Sequence, residues 1–167
     1  MAQADLNDGQ TLYAVNDLFL GARTHVSARY RIHHGEREEV QSSSGIIVST
    51  GAGSTGWLQS IVTGAARVSA GLGLTESAPP TPDAYRLRWD SEELYFSVRE
   101  PFTSKMSQAT LVFGRLSPGG QLVVESLMPE EGVIFSDGIE ADYLNFNSGA
   151  IATIRLAARK ARLLVRD

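Results

Sequence analysis

The segment "SSSGIIVSTGAGSTGW", residues 42–57, joins an apolar run to a glycine-rich turn and then to an apolar periodic stretch. Read literally, Gly51 to Gly56 is G-x-G-x-x-G between a strand and a helix, the fingerprint of a dinucleotide-binding crossover. That fold requires a second strand with an acidic residue about 20 positions further on. Here Glu76 stands in the loop "AGLGLTESAPP" (70–80), and no β–α alternation follows. The motif therefore does not predict a Rossmann fold.

The turn also differs from a Walker A loop, because no lysine precedes Ser54-Thr55. Its chemistry is still suited to a ligand. Small residues let a ligand approach the backbone closely, and the N–H groups of a helix N-terminus favour acceptors and anions. The alternative is a tight strand-to-helix turn with a capping serine, and the residues alone leave both interpretations open.

A helical period starts at this turn. Apolar side chains recur at i, i+4, i+8 and i+11, namely at Trp57, Ile61, Ala65 and Val68. This spacing predicts a helix to about residue 69, with Ser54 or Thr55 as its N-cap.

Strand patterns fill the rest of the chain. The run "TLYAVNDLFLGA" (11–22) predicts one buried strand, residues 25–41 a hairpin that turns at His34-Gly35, and "GIIVS" (45–49) a short strand. A proline-rich loop follows the helix over 70–85. Further short strands are predicted at 85–89, 94–100, 109–116, 121–128, 132–137, 142–147, 150–157 and 161–165. The sequence thus predicts a mainly β domain, an antiparallel sandwich or barrel with one inserted α-helix.

Composition limits the classes of function. The net charge of −4 gives no support to nucleic-acid binding. The chain has no cysteine, which excludes thiolate metal sites and disulfides. No run reaches about 18 apolar residues, so we expect no membrane span and a cytoplasmic protein. The histidines are too few and too clustered to predict a metal site. The basic residues near the C-terminus indicate a solvated strand or turn, with phosphate binding as the alternative: Arg155, Arg159, Lys160, Arg162 and Arg166.

Three stretches, taken in order, resemble motifs of the C-terminal domain of the NAD kinases. They are "VNDLFLG" (15–21), "SSGIIVSTGAGSTGW" (43–57) and "SDG" (136–138). In that family an Asn-Glu/Asp pair lies on an early strand, a motif close to G-D-G-hydrophobic-hydrophobic-V-S-T-P-T-G-S-T-A-Y follows, and an Asp-Gly element comes near the end of a β-sandwich. The resemblance implies a single β-sandwich domain of this kind over residues 1–167.

The activity that the resemblance implies is phosphoryl transfer to the adenosine ribose 2′-hydroxyl of NAD, which gives NADP. The donor would be ATP or polyphosphate with Mg²⁺. The Asn-Asp pair would lie near the adenosine and ribose hydroxyls, and the residues at the helix N-terminus would line the dinucleotide pocket. The substrate-binding positions assigned in this way are Asn16, Asp17, Ser44, Ser54, Thr55, Gly56, Trp57, Ser60 and Asp137. Asp137-Gly138 is also a hairpin-turn signal.

The chain departs from the family pattern in several places. Ser44 stands where the family usually carries an Asp, Ala52 replaces a Thr, and Gly56-Trp57 replaces Ala-Tyr. The family's N-terminal α/β half, with its Gly-Gly-Asp-Gly motif, is not among these 167 residues. We therefore expect no catalytic residue in this chain and little or no kinase activity from it alone. It would be a piece of a longer enzyme or a degenerate relative.

The leading hypothesis is a dinucleotide-binding and oligomerising domain of an NAD-kinase-like enzyme, assembled as a homodimer or homotetramer. Two alternatives keep the sandwich. One is a non-catalytic nucleotide-binding module, and the other is a related kinase whose acceptor is a lipid or a sugar.

Overall fold

Two antiparallel sheets of six strands each form the chain, in a computed structural model that describes residues 1–74, 81 and 86–162. The first sheet has the order β2-β1-β12-β9-β4-β5. Its strands are β1 (Ala2–Leu6), β2 (Thr11–Ala14), β4 (Ala28–His34), β5 (Arg37–Ser43), β9 (Gln121–Ser126) and β12 (Ile151–Leu156). The second sheet has the order β11-β10-β3-β6-β7-β8. Its strands are β3 (Asp17–Ala22), β6 (Ile46–Ser49), β7 (Leu94–Val98), β8 (Phe113–Leu116), β10 (Gly132–Ser136) and β11 (Tyr143–Asn145).

Burial patterns explain why the two sheets pack face to face. Residues of β1 and β9 alternate between buried and partly exposed, as expected for a sheet with one face on the core and one face in water. In contrast, β6 is buried along its whole length. On its outer face Ile47 packs in a second apolar cluster with Phe19, Val133 and Phe135, against which Trp57 packs. The second sheet is therefore covered on both sides at this point.

One helix, α1 (Trp57–Gly71), follows a 3₁₀ turn at Ala52–Thr55. The predicted helix is confirmed, but the predicted side-chain cap is wrong, because Gly56 is the N-cap and no side chain caps it. The Ser54 hydroxyl is engaged elsewhere: it donates to the Gly51 carbonyl and accepts the Leu87 N–H. Of the helix residues only Leu58 is fully buried. No helix in the described ranges is long and apolar enough to cross a membrane.

The predicted strand over 11–22 is instead two strands in different sheets. The chain leaves β2 at Ala14, crosses between the sheets at Val15-Asn16 and enters β3 at Asp17. Hydrogen bonds to distant residues fix the crossing: the Thr50 hydroxyl donates to the Val15 carbonyl at 2.6 Å, and the Thr50 N–H donates to the Asn16 carbonyl at 2.9 Å. An apolar run cannot reveal a crossing that depends on such contacts.

Other predicted elements also differ from the structure. The polar N-terminus, for which no strand is predicted, forms β1 because Ala2 and Ala4 fill core positions in spite of their small size. Of the predicted strand at 85–89, residues 86–88 have no strand structure. The predicted strand at 161–165 and the proline-rich loop lie largely outside the described residues. The hairpin with its turn at His34-Gly35 is confirmed.

Candidate functional site

The glycines of the turn at residues 51–56 are required by backbone packing. A Cβ at Gly51 would lie 2.0 Å from the Arg88 carbonyl oxygen, and one at Gly53 would lie 2.3 Å from the Asn16 carbonyl oxygen. Both distances are shorter than any Cβ contact allows. The two glycines therefore allow two close approaches between backbone segments. The approach at Gly53 brings the turn against Asn16, in the crossing between the sheets, and Asp17, at the start of β3.

Asp137 holds the same crossing from the opposite side. Its Oδ1 accepts the Asn16 N–H at 2.7 Å and the Asp17 N–H at 3.2 Å, and its Oδ2 accepts the Val15 N–H at 3.0 Å. The Asp137 N–H donates in turn to the Asp17 carbonyl at 2.9 Å. Asp137 and Gly138 both have positive φ, of 53° and 74°, as a type I′ turn requires. The Asp-Gly turn thus clamps the start of β3.

A cavity of about 380 Å³ lies where these three segments meet. Six of the nine predicted substrate-binding residues line it: Asn16, Asp17, Thr55, Gly56, Trp57 and Asp137. Sequence reasoning missed three further lining residues, Ala52, Gly53 and Gly138, although all three lie inside the motifs that it used. Residues as far apart in sequence as Asn16 and Asp137 thus share one concave surface.

Asp17 is the titratable group of this cavity with a displaced pKa. Burial raises the pKa of its carboxyl to about 6, the nearby Ser49 hydroxyl opposes the rise, and the negative charge of Asp137 adds to it. Oδ1 is buried against Gly53 and has no hydrogen-bond partner within the described residues. Oδ2 lies on the Gly56 side, where an added Cβ would be 3.8 Å away. Because Oδ1 is buried, a ligand hydroxyl that donates a hydrogen bond to this carboxylate must do so at Oδ2.

The N-terminus of α1 supplies donors to the same cavity. Its first residues have no intrahelical acceptor for their N–H groups, and Gly56 offers no side chain to cap them. Thr55 is exposed beside them. Such a helix end favours acceptors and negative charge, because the aligned peptide dipoles place partial positive charge there.

Three predicted residues lie outside this cavity. Ser54 is buried and its hydroxyl is engaged within the turn. The Ser60 hydroxyl, one helical turn further on, donates to the Gly56 carbonyl at 3.2 Å. Ser44 lines a neighbouring cavity of about 350 Å³, which shares Trp57 with the first. The indole therefore stands between the two cavities.

In the ranges 1–74 and 86–162, and at residue 81, no group of three or more His, Asp or Glu side chains is arranged to hold a metal ion. The residues at the first cavity do not form a Mg²⁺ site, since Asp17 and Asp137 are the two carboxylates there and Asp137 accepts three backbone N–H groups.

Comparison with solved structures shows a similarity of fold. The chain is similar to the crystal structure of an NAD kinase from Archaeoglobus fulgidus in complex with ATP, with a TM-score of 0.58 and 16% sequence identity. The predicted fold is confirmed. This β-sandwich with one helix is the fold of an NAD kinase C-terminal domain.

The extent of the match is unequal for the two proteins. It covers 95% of this chain but 51% of the archaeal NAD kinase, so the chain spans about half the length of that enzyme. No family model matches the sequence. No curated protein matches it either.

Proposed function

We propose that this domain binds an adenosine dinucleotide, NAD or a close relative, and forms the acceptor-binding half of an NAD-kinase-like phosphotransferase. One observation carries the proposal: Asn16-Asp17, the 52–57 turn and Asp137-Gly138 converge on one cavity at an uncapped helix N-terminus. The likeness in fold to an NAD kinase solved with ATP supports the choice of ligand class.

Each part of the cavity has a proposed role. The Asp17 carboxylate accepts a hydrogen bond from a ribose hydroxyl, and the Asn16 amide pairs with a donor and an acceptor on an adenine edge. The Trp57 indole packs on a planar ring. The first N–H groups of α1 and the Thr55 hydroxyl donate hydrogen bonds to phosphate oxygens. Asp137 acts through Asn16 and Asp17, because its carboxylate is engaged with their backbone N–H groups.

Phosphoryl transfer itself needs more than this cavity. It depends on positioning the donor and on neutralising the charge of its phosphates, usually with a metal ion. In this proposal the donor, ATP or polyphosphate with Mg²⁺, is held mainly by residues beyond this chain. The domain alone is then an acceptor-binding module, and mixing it with NAD, ATP and Mg²⁺ is expected to give little or no NADP.

Calorimetry with NAD, NADP and ATP tests the proposal. We expect NAD or NADP to bind, and Thr55→Val to weaken that binding by about tenfold, the value of roughly one hydrogen bond. The matched control is Thr153→Val on β12, in the first sheet, which should leave affinity unchanged. Binding of ATP with no binding of NAD or NADP would instead favour the non-catalytic module. If none of the three nucleotides binds, the proposal is wrong.

We further propose that the domain self-associates, as a homodimer or homotetramer. Support comes from the end of α1, where three apolar side chains are largely exposed: Val68, Leu72 and Leu74, at 63%, 68% and 72%. Such a patch is costly to leave in water. Light scattering should give a mass above that of one chain, and Val68→Lys should lower it. A monomer at every concentration would contradict this part of the proposal.

A further inference from the structure

The first cavity carries negative charge without a cation to offset it. Of the described residues that line it, Asp17 and Asp137 are the charged ones, and none is Lys, Arg or His. The basic side chains of this region line other cavities instead: Arg23, Arg99, Lys160 and Arg162. Proteins usually hold a phosphate ester with such basic side chains. The first cavity therefore lacks the groups that would balance a phosphate placed beside its carboxylates.

The two carboxylates of the cavity differ in how their charge is compensated. Asp137 accepts three backbone N–H groups, which stabilise its ionised form. Asp17 has no such set of donors, because its Oδ1 is buried without a hydrogen-bond partner. No ion pair in the described part of the chain involves Asp17. Asp17 is thus the uncompensated charge of the cavity, and a ligand meets it at Oδ2.

The helix end and Asp17 act on a ligand anion in opposite directions. The N-terminus of α1 is equivalent to about half a positive charge, whereas ionised Asp17 carries a full negative charge. The helix N–H groups can hold the phosphates that join the two nucleosides, which lie away from the ribose hydroxyls. A further phosphate beside Asp17 is repelled, since two like charges in a partly buried site repel strongly. A hydroxyl in the same place is attracted, because it donates to the carboxylate.

We propose that Asp17 is the specificity-determining residue of this cavity, and that it selects a ribose with free hydroxyls over one with a 2′-phosphate, a preference that rests on the proposed dinucleotide binding. The 2′- and 3′-hydroxyls of a ribose are on neighbouring carbons. A 2′-phosphate therefore lies near Asp17 whichever of the two hydroxyls donates to it. The cavity takes NAD in preference to NADP, and NADP that forms there is held weakly.

The protonation state of Asp17 sets the strength of this preference. Burial raises the pKa of its carboxyl to about 6, and Asp137 is the charged group that adds to the rise. The other neighbours bring no titratable group: Ser49, opposite it on β6, and the glycines of the turn, Gly53 and Gly56. Above pH 6 ionised Asp17 accepts a hydroxyl. Below it the neutral carboxyl repels no phosphate and can donate its own O–H to one.

Opposite pH trends for the two dinucleotides follow. NAD binding favours ionised Asp17, so its affinity should fall when the pH is lowered from about 7.5 to about 5. NADP binding favours protonated Asp17, so its affinity should rise over the same range. The phosphate ester of NADP also gains a proton near pH 6 and contributes to that rise. Asp17→Asn removes the contribution of the protein and leaves that of the ligand.

Calorimetry with NAD and NADP at about pH 7.5 measures the preference, and we expect NAD to bind at least about tenfold more tightly. Asp17→Asn keeps the shape and one acceptor oxygen but loses the charge. It should bring the two affinities within about threefold of each other, because NADP binds more tightly and NAD more weakly. Asp142→Asn removes the same charge from an exposed position that does not line the cavity, and it should keep the preference of the parent protein.

Two isomers separate the position of the phosphate from the total charge of the ligand. Adenosine 2′-monophosphate and adenosine 5′-monophosphate carry the same charge, but the 2′-phosphate faces Asp17 and the 5′-phosphate faces the helix end. The parent protein should bind the 5′-isomer about tenfold more tightly. Asp17→Asn should lose this difference.

Equal affinities of the parent protein for NAD and NADP at about pH 7.5 would overturn the proposed selectivity. So would a change of the NAD to NADP ratio in Asp142→Asn as large as that in Asp17→Asn. In either case NAD still binds, and the proposed dinucleotide binding stands, whereas both proposals fail if no nucleotide binds. Should Asp17→Asn fail to fold, the NAD affinity of the parent protein decides: NAD itself does not titrate in this range, so an affinity that is level in pH overturns the role of Asp17.

Discussion

The carboxylate of Asp137 accepts the backbone N–H of Asn16 at 2.7 Å, although 121 positions separate the two residues in the chain. The same carboxylate also accepts the N–H groups of Val15 and Asp17. These three amides form the crossing between the two sheets, where β2 ends and β3 begins. The geometry of the first cavity therefore depends on a turn near the other end of the described chain.

Asp137→Ala should release this crossing. Hydrogen bonds to a charged group contribute about 1.5–3 kcal/mol, so we expect a loss of roughly 2 kcal/mol in the free energy of unfolding. Asp137→Asn should cost less, because Asn tolerates positive φ and keeps one acceptor. Hydrogen exchange at the amides of Val15 and Asn16 is the direct readout. Unchanged protection of these amides in Asp137→Ala would contradict the clamp, and Asp142→Ala in the following loop is the control.

The raised pKa of Asp17, about 6 against an ordinary 3.8, predicts the pH dependence of stability. The folded state holds the Asp17 proton more tightly than the unfolded state, so ionised Asp17 opposes folding. This cost is absent below the ordinary pKa, appears as the pH rises towards 6, and is complete above it. Discounted for partial solvent exposure, it is on the order of 1–2 kcal/mol.

Asp17→Asn removes the titration. Urea unfolding between about pH 4 and pH 7 should show a flatter dependence of stability on pH for this variant, and a more stable protein at the upper end. Asp142→Asn, at an exposed position, is the control and should leave the dependence as it is. An identical slope in Asp17→Asn and the parent protein would contradict the assignment.

Local patterns predicted the elements whose partners are close in sequence. The β4–β5 hairpin and α1 follow from alternation and helical period within one contiguous stretch. The split of 11–22 could not be predicted, because Thr50 and Asp137 decide it through contacts over long separations. The predicted N-cap of α1 was wrong for a similar reason, because the Ser54 hydroxyl is hydrogen-bonded to the Gly51 carbonyl and the Leu87 N–H instead.

The residues of the candidate site could likewise be predicted where they lie in contiguous motifs, and not where they come from separate segments. The motifs named most residues of the first cavity, because the motifs are contiguous and each carries several lining residues. Their role in binding stays a prediction. Of the neighbouring cavity the motifs named Ser44 and Trp57 alone, since Arg23, Arg99 and Tyr143 come from three separate segments with no recognisable spacing.

The lowered pKa of Glu39 predicts a second pH dependence of stability, at lower pH and of opposite sign to that of Asp17. Burial alone would raise its pKa, but hydrogen bonds from the Thr110 hydroxyl, the Leu111 N–H and the Gln41 amide lower it from 4.5 to about 2. Ionised Glu39 therefore stabilises the fold above pH 4.5, and this contribution is lost as the pH falls through about 2.

Glu39→Gln should lower the free energy of unfolding at pH 7 by about 2 kcal/mol, because the N–H groups of Thr110 and Leu111 lose a charged acceptor. Acid unfolding followed by circular dichroism should then begin nearer to neutral pH. Glu36→Gln, in the exposed turn of the same hairpin, removes an equal charge and should change neither quantity. Equal effects of the two substitutions would refute the role of Glu39.

Substitution by alanine should have opposite effects on stability at two glycines, Gly53 and Gly64. At Gly53 a Cβ would lie 2.3 Å from the Asn16 carbonyl oxygen and 2.7 Å from Asp17 Oδ1, whereas at Gly64, within α1, nothing lies within 4 Å. Gly53→Ala must therefore push the turn away from the crossing. We expect it to lower stability by about 1–3 kcal/mol, as overpacking does, and to weaken nucleotide binding at the first cavity.

Gly64→Ala should instead raise stability by about 0.5–1 kcal/mol, because alanine loses less backbone entropy in a helix interior, and it should leave nucleotide binding unchanged. Chemical denaturation and calorimetry on the two variants measure both quantities. Because each variant adds a single methyl group, a difference between them reports the close approach of the turn to Asn16 and Asp17. Equal stability of the two variants would show that the turn does not press on the crossing, and that Gly53 serves another purpose.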